Sequence, residues 1–247
     1  MKIGMSALIF NMEEALKICE ENKEINHIEI GIDNLSDCDK LKIYKDKIND
    51  LNLSVGIHLP MELNPCEDIV YIRDSWVKFV KEISFRLNYL KVEYYNMHLG
   101  YVMSNRLIKD IEKYLSHAVD FFDKLDLPLT MENTYTAGGD FTNVGTSLED
   151  FNFIFKSTKN KNLEFCYDTG HDLICKSNYF LLKNKFKVVH LSDNKGKKDE
   201  HLGIGYGILD KETIEKILQR KPEFLVFEMQ LDYIVNSINI FRKNYNK

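Results

Sequence analysis

The stretch LEFCYDTGHDLICKSNYFLLKNKFKVVHLSD, residues 163–193, decides the fold. Two apolar runs in it, Leu163–Asp168 and Val188–Leu191, have the length and the β-branched or aromatic content of buried strands. The interval between them is long enough for the crossover that a parallel pair requires. Working outward, Ile3–Leu8, His27–Ile32, Leu53–His58, Val92–His98, Leu127–Glu132 and Phe224–Glu228 read the same way. Between these runs the apolar spacing moves towards 3.6. Met12, Ala15, Leu16 and Cys19 form one helical stripe, and Trp76, Phe79, Val80, Ile83 and Leu87 form another. Ile214, Ile217 and Leu218 repeat the pattern late in the chain, as does the segment from Tyr233 to Tyr245.

Strands alternating with helices imply a parallel sheet with right-handed crossovers. Eight units in 247 residues average about 31 residues each, the size of a βα repeat in a closed barrel. The expected fold class is α/β, a (β/α)8 barrel, with residues 1–247 forming a single domain. There are only four prolines, and no Pro/Gly/Ser-rich linker divides the chain. A doubly wound open sheet usually needs fewer strands. No G-x-G-x-x-G follows the first strand, which removes the usual argument for a dinucleotide.

The composition narrows the function classes. Lys and Arg number 33 against 38 Asp and Glu, a formal charge of −5, and 44% of residues are hydrophobic. That excludes a disordered tail or a disulfide-dense mini-protein. A mildly acidic chain whose basic residues are nearly all lysine is poorly suited to a wide, nonspecific DNA surface. The opening MKIGMSALIFNMEEA lacks the apolar core of a signal peptide, and no run of about 18 apolar residues suggests a membrane span. Cys19, Cys38, Cys66, Cys166 and Cys175 are odd in number and form no C-x-x-C. Reduced thiols in a cytoplasmic protein fit, and none is expected to bind metal.

In a barrel, chemistry belongs at the carboxyl ends of the strands. Strands three to eight finish on His58, His98, Glu132, Asp168, His190 and Glu228. A single histidine there is most simply a hydrogen-bonded structural residue, and a single glutamate a cap for the next helix. Six in succession converge on one axis, where packing carboxylates and imidazoles without a cation is costly. A divalent metal site resolves that cost. Nitrogen and oxygen donors suit Zn²⁺ first, with Mn, Fe or Co as options. Asp199 and His201 follow the seventh strand closely and resemble a clamp for a further ion.

Together these residues resemble the xylose-isomerase-like TIM barrels, and within them the endonuclease IV (AP endonuclease 2) branch. The likeness runs from roughly Gly56 to Glu228; the first two units fit by architecture alone. It is carried by the Asp168-x-x-His171 spacing, the run His190-Leu191-Ser192-Asp193-Asn194-Lys195, and Gly205-Tyr206-Gly207 after His201. The resemblance implies nine metal ligands and two to three ions. His58, His98 and Glu132 would hold the first. Glu132 would bridge to a second, completed by Asp168, His190 and Glu228. His171, Asp199 and His201 would hold the third. Among these, the resemblance gives catalytic roles to Glu132, Glu228 and His171. Three departures stand out. Met61 occupies a position usually aromatic in endonuclease IV. The loop Asp33-Asn34-Leu35-Ser36 is too short for DNA-penetrating basic side chains. The glycine pattern after Glu132-Asn133-Thr134 is altered to Tyr135-Thr136-Ala137-Gly138-Gly139.

The expected activity is metal-dependent hydrolysis of a phosphodiester, on a small phosphorylated molecule in preference to abasic DNA. Lys195 or Lys197 could meet a second anionic group, although a solvated lysine loop explains them better. The alternative is a single-metal sugar or sugar-phosphate isomerase or epimerase using Glu132, Asp168, His190 and Glu228. That reading leaves His58, His98, His171, Asp199 and His201 without a metal role. Asp193 is a further candidate carboxylate at the barrel mouth. The sequence fixes no oligomeric state.

Overall fold

The computed structural model describes residues 1–107, 109–136 and 138–245, so Ala137 in the altered glycine segment lies outside the described residues. Eight parallel strands close a barrel: β1 (Lys2–Leu8), β2 (Ile25–Gly31), β3 (Ser54–His58), β4 (Val92–His98), β6 (Leu129–Glu132), β8 (Leu163–Asp168), β9 (Phe186–Leu191) and β10 (Phe224–Phe227). Chain order is kept around the ring, and β10 pairs with β1 to close it. Each expected run is a strand; Val92–His98 and Leu163–Asp168 match at both ends, and no other end moves by more than two residues. β6 starts at Leu129 because Pro128 has no N–H to give the ladder; its carbonyl instead accepts from Tyr95. β5 (Tyr101–Met103) and β7 (Phe141–Asn143) form a small antiparallel ribbon that sequence periodicity did not reveal. Three residues per strand are too few to register as a period.

The helices are α1 (Met12–Glu21), α2 (Leu35–Leu41), α3 (Lys45–Asp50), α4 (Val70–Arg86), α5 (Ser104–Leu107), α6 (Ile111–Asp123), α7 (Leu148–Ser157), α8 (Thr169–Cys175), α9 (Lys211–Gln219) and α10 (Leu231–Tyr245). The stripe read in α1 is the buried face: Met12, Ala15, Leu16 and Cys19 are all covered. Burying each large side chain of this kind contributes about 1.5–3 kcal/mol. Helix starts are chemically marked. Ser147 caps α7 by accepting from the Asp150 amide, and Asp210 caps α9 by accepting from Thr213 at 2.7 Å.

Two apolar cores result. The larger lies between the barrel and its helices. The smaller, Tyr94, Cys166, Val188, Phe224 and Val226, fills the barrel interior. Period two explains the division, since alternate residues of each strand point inwards. Two residues further along the same strands come Asn96, Asp168, His190 and Glu228. The fold therefore places the polar strand ends directly on an apolar floor.

Candidate metal centre

Glu132 sits at the centre of the mouth, 1% exposed, with each oxygen facing two imidazoles. Its Oε2 is 3.3 Å from His58 Nε2 and 3.3 Å from His190 Nδ1. Its Oε1 is 3.4 Å from His98 Nε2 and 3.3 Å from His171 Nδ1. Donor atoms of His58, His98 and Glu132 all lie within 4.8 Å of one another, as do those of Glu132, Asp168, His190 and Glu228. These are the first two ligand sets expected from sequence. In the third, His171 Nε2 and His201 Nε2 approach the same Asp199 Oδ2 at 3.2 and 3.1 Å. All nine residues are thus at one mouth. Seven of them, with Glu29, line a single cavity of about 360 Å³, and Asp168 and His190 join it through the set they share with Glu132 and Glu228.

Several of these imidazoles are fixed by backbone carbonyls. His58 Nδ1 meets Leu59 O at 2.9 Å, His171 Nδ1 meets Asn133 O at 2.8 Å, and His201 Nδ1 meets Glu228 O at 3.1 Å. A carbonyl can only accept, so Nδ1 carries a proton and Nε2 is the nitrogen turned towards the site. Strand ends are tied to one another as well. Asn133 donates to Asp168 O and accepts from Asp168 N at 3.0 and 2.7 Å, joining β6 to β8. Thr169 Oγ1 donates to Ser192 O and accepts from Ser192 N, joining β8 to β9. Asp168 also caps α8, accepting from the His171 amide at 2.6 Å.

The electrostatics are those of a site short of positive charge. Burial opposes ionisation of Glu132, but His190, His98 and His171 outweigh it and hold the carboxyl well below its usual range. Glu228 is likewise opposed by burial and held to about 2 by His190. Asp168 goes the other way: burial and the charges of Glu228, Glu132 and Asp199 push it well up, against the pull of His171. Of the eight buried side-chain N and O atoms without a hydrogen-bond partner among the described residues, six are here. They belong to Glu29, Glu132, Asp168, His190, Asp199 and Glu228. Orphaned lone pairs of this kind, converging with no sulfur among the nine, fit divalent cations.

The structure also revises the residue list. Asp193 does not face the metal centre. It is completely buried, and its oxygens accept from the amides of Asn194, Gly205, Gly207 and Leu209 at 2.8–3.1 Å, so it organises the loop that carries Asp199 and His201. Lys195 and Lys197 are exposed and do not line the cavity; Lys195 lies 3.9 Å from Glu200. Two participants escaped sequence reasoning. Glu29 on β2 is 1% exposed and contacts His190, and Asn96 on β4 donates to Glu132 Oε2 while accepting from Thr130 Oγ1. Their signal was the period of two: Asn96 stands two residues before His98, and Glu29 interrupts an apolar strand. Cys166, two residues before Asp168, has its Sγ within 4.8 Å of Glu132 and His190 donors, and burial pushes its thiol well up.

A family model described as xylose isomerase-like TIM barrel matches residues 24–244. The chain belongs to that family. Within it, a probable endonuclease 4 from Alkaliphilus oremlandii is 26% identical over 213 residues, covering 76% of this chain and 74% of the relative. Among solved structures, a D-tagatose 3-epimerase-like protein superposes with a TM-score of 0.82 at 22% identity, covering all of this chain and 97% of the other. Endonuclease IV from Thermus thermophilus superposes with a TM-score of 0.68 at 17% identity, covering all of this chain and 99% of the other. At those identities the superpositions establish the TIM barrel of the family, not a reaction. Family members of both kinds are enzymes. Among the described residues no helix is long and apolar enough to cross a membrane.

Proposed function

We propose that this barrel is a metal-dependent hydrolase of a small phosphodiester, with a di- or trinuclear centre in which zinc is the favoured ion. The observation that carries the reading is Glu132, whose two oxygens are each shared between two imidazoles, one from either side of β6. A carboxylate so placed is suited to bridge two cations. Ions held there would acidify water and offset charge on a phosphoryl group. The chain's own part is orientation: carbonyl-fixed histidines aim their lone pairs, and the Asp168 carboxylate is anchored on the first turn of α8. His171 and His201 converge on Asp199 beside the bridged pair, where the leaving oxygen of a substrate would lie. The similarity to a probable endonuclease 4 supports phosphodiester chemistry.

Cavity shape favours a small substrate over DNA. Leu8, Leu59, Met61, Met229 and Leu231 add apolar surface to the cavity, and no Lys or Arg among the described residues lines the space. About 360 Å³ is at the small end of ligand pockets. The short connection after β2 supplies Asp33 to the cavity and Asn34 to the cap of α2, neither of which suits a DNA backbone.

A second reading, a single-metal sugar or sugar-phosphate epimerase or isomerase, is favoured by one feature. Glu132, Asp168, His190 and Glu228 form a complete four-donor set without help from the others. Ion count decides between the two. Protein purified without chelator should carry two or three ions per chain by elemental analysis, hydrolyse bis(p-nitrophenyl) phosphate and leave abasic-site DNA intact. Replacing Asp199 and His201 together by alanine should remove most of that turnover. One ion per chain, with deuterium uptake from solvent at the carbon beside a sugar carbonyl, would replace the hydrolase reading by the epimerase one.

A further inference from the structure

We infer that Glu29 is a positioning residue that holds His190 in the orientation and tautomer a metal ion requires. The inference rests on the reading of Glu132, Asp168, His190 and Glu228 as a metal set. Neither the nine expected ligands nor the family comparisons include Glu29.

His58, His171 and His201 are oriented by backbone carbonyls, but His190 is not. Its Nε2 lies 2.9 Å from Glu29 Oε1 and 3.0 Å from Glu29 Oε2, with both side chains at most 1% exposed. Tyr94 already donates to Glu29, whose oxygens serve as acceptors, so Nε2 carries the proton. Nδ1 is then free to face Glu228 Oε2 at 2.9 Å, Glu132 Oε2 at 3.3 Å and Asp168 Oδ2 at 3.9 Å. A carboxylate behind a ligating imidazole fixes the ring and raises its basicity as a donor.

Glu29 is itself held by a buried chain that descends the barrel. Tyr94 Oη donates to Glu29 Oε2 at 2.6 Å and lies 2.9 Å from His27 Nε2, and His27 Nδ1 lies 2.9 Å from Ser54 Oγ. The Tyr94 proton is committed to Glu29, so Tyr94 Oη accepts from His27 Nε2–H. Neutral His27 leaves its Nδ1 lone pair facing Ser54 Oγ, whose one proton is shared between it and Asn26 O at 3.2 Å. Donation therefore runs from His27 through Tyr94 to Glu29, and meets His190 coming from the other side. Two strand-interior glycines make room for this chain. A Cβ on Gly56 would collide with the Tyr94 ring, and one on Gly4 would fall 2.7 Å from His27 Cδ2. A carboxylate placed merely to pack the barrel would not need such a support.

The competing role is direct ligation, because donors of Glu29, His58 and His190 also lie within 4.8 Å of one another. The test uses the full chain, wild type and with Glu29→Gln or Tyr94→Phe. Zn²⁺ affinity is measured by competition with a chromophoric chelator, ion count at saturation by elemental analysis, and melting temperature on the metal-free proteins. Glu29→Gln should bind Zn²⁺ about 10–100-fold more weakly with an unchanged ion count, and its metal-free melting temperature should not fall. Tyr94→Phe should weaken binding by less, and the visible absorption of the Co²⁺-substituted protein should shift in both variants. Unchanged affinity in both variants overturns the inference. So does loss of one whole ion in Glu29→Gln, which would make Glu29 a ligand, and so does weakening that only tracks a drop in metal-free stability. If Glu29→Gln does not fold, unchanged affinity in Tyr94→Phe is sufficient to overturn it. A wild-type chain that retains no divalent ion would instead sink the metal reading on which it rests.

Discussion

Burial opposes a charge on His58 and on His201, yet both are held protonated, His58 to about 9 by Glu132 with Glu29 and Glu228, and His201 to about 10 by Asp199 with Glu228. A metal ion needs the lone pair that this proton occupies. Zinc binding near pH 7.5 should therefore expel protons, and apparent affinity should climb with pH until about 9. Isothermal titration in two buffers of different ionisation enthalpy measures the release; heats independent of buffer would contradict it. The same shifts set the behaviour of the metal-free chain. Folded values above the unfolded value of about 6.5 mean stability that is present below that pH and lost as pH rises towards 9–10. His27 has the opposite sign. Burial, with Lys2 and His190 nearby, lowers it to about 3, so its contribution is present above about 6.5 and is lost as pH falls towards 3. That one group steepens the acid side by at most about 1.4 kcal/mol per pH unit. Urea unfolding of Zn²⁺-free wild type and His27→Gln between pH 4 and 7 should show the shallower slope in the variant.

The loop after β9 is where one side chain shapes a whole element. Asp193 collects four backbone amides, and Gly207 passes so close that a Cβ there would collide with Asp193 Oδ1. His201, in the same loop, stands in the left-handed region at φ 47°. Asp193→Ala would orphan amides at about 1–3 kcal/mol each before relaxation, so the loop should reorganise. We expect the ion associated with His171, Asp199 and His201 to be lost while the two flanking Glu132 remain, leaving one fewer ion per chain by elemental analysis. Asp193→Asn, which keeps one accepting oxygen, should retain more of it. An unaltered ion count in the alanine variant would show that Asp199 and His201 are positioned independently of Asp193. The sequence marked this loop through its Asp-x-His pair but assigned Asp193 the wrong task. A carboxylate beside a metal-ligand strand looks the same in one dimension whether it faces the ion or the backbone.

Across the molecule, the mouth concentrates Glu29, Glu132, Asp168, Asp199 and Glu228 over an apolar floor, and bound cations should stabilise the whole barrel. Binding at about 100 times the dissociation constant adds about 2.7 kcal/mol. In a chain of this length each kcal/mol moves the melting temperature by about 2–4 °C, so chelation should lower it by about 5–11 °C, reversibly on adding Zn²⁺. Calorimetry with and without chelator checks this; coincident melting curves would count against a native metal centre.

Local chemistry determined the barrel. Period-two apolar runs, 3.6-period stripes and the regular spacing of eight units are properties of neighbouring residues, and the polar strand ends from His58 to Glu228 inherit their common location from that repeat. The grouping of those ends around Glu132 was anticipated through the family resemblance. Tertiary structure alone decided what lies behind them. Glu29 meets Tyr94 and His190 across 65 and 161 residues of chain, and Asn96 reaches Glu132 across 36. No local pattern encodes such pairs. Whether a buried carboxylate binds metal, steadies a histidine or gathers amides depends on which strands close beside it, and that is settled only when β10 meets β1.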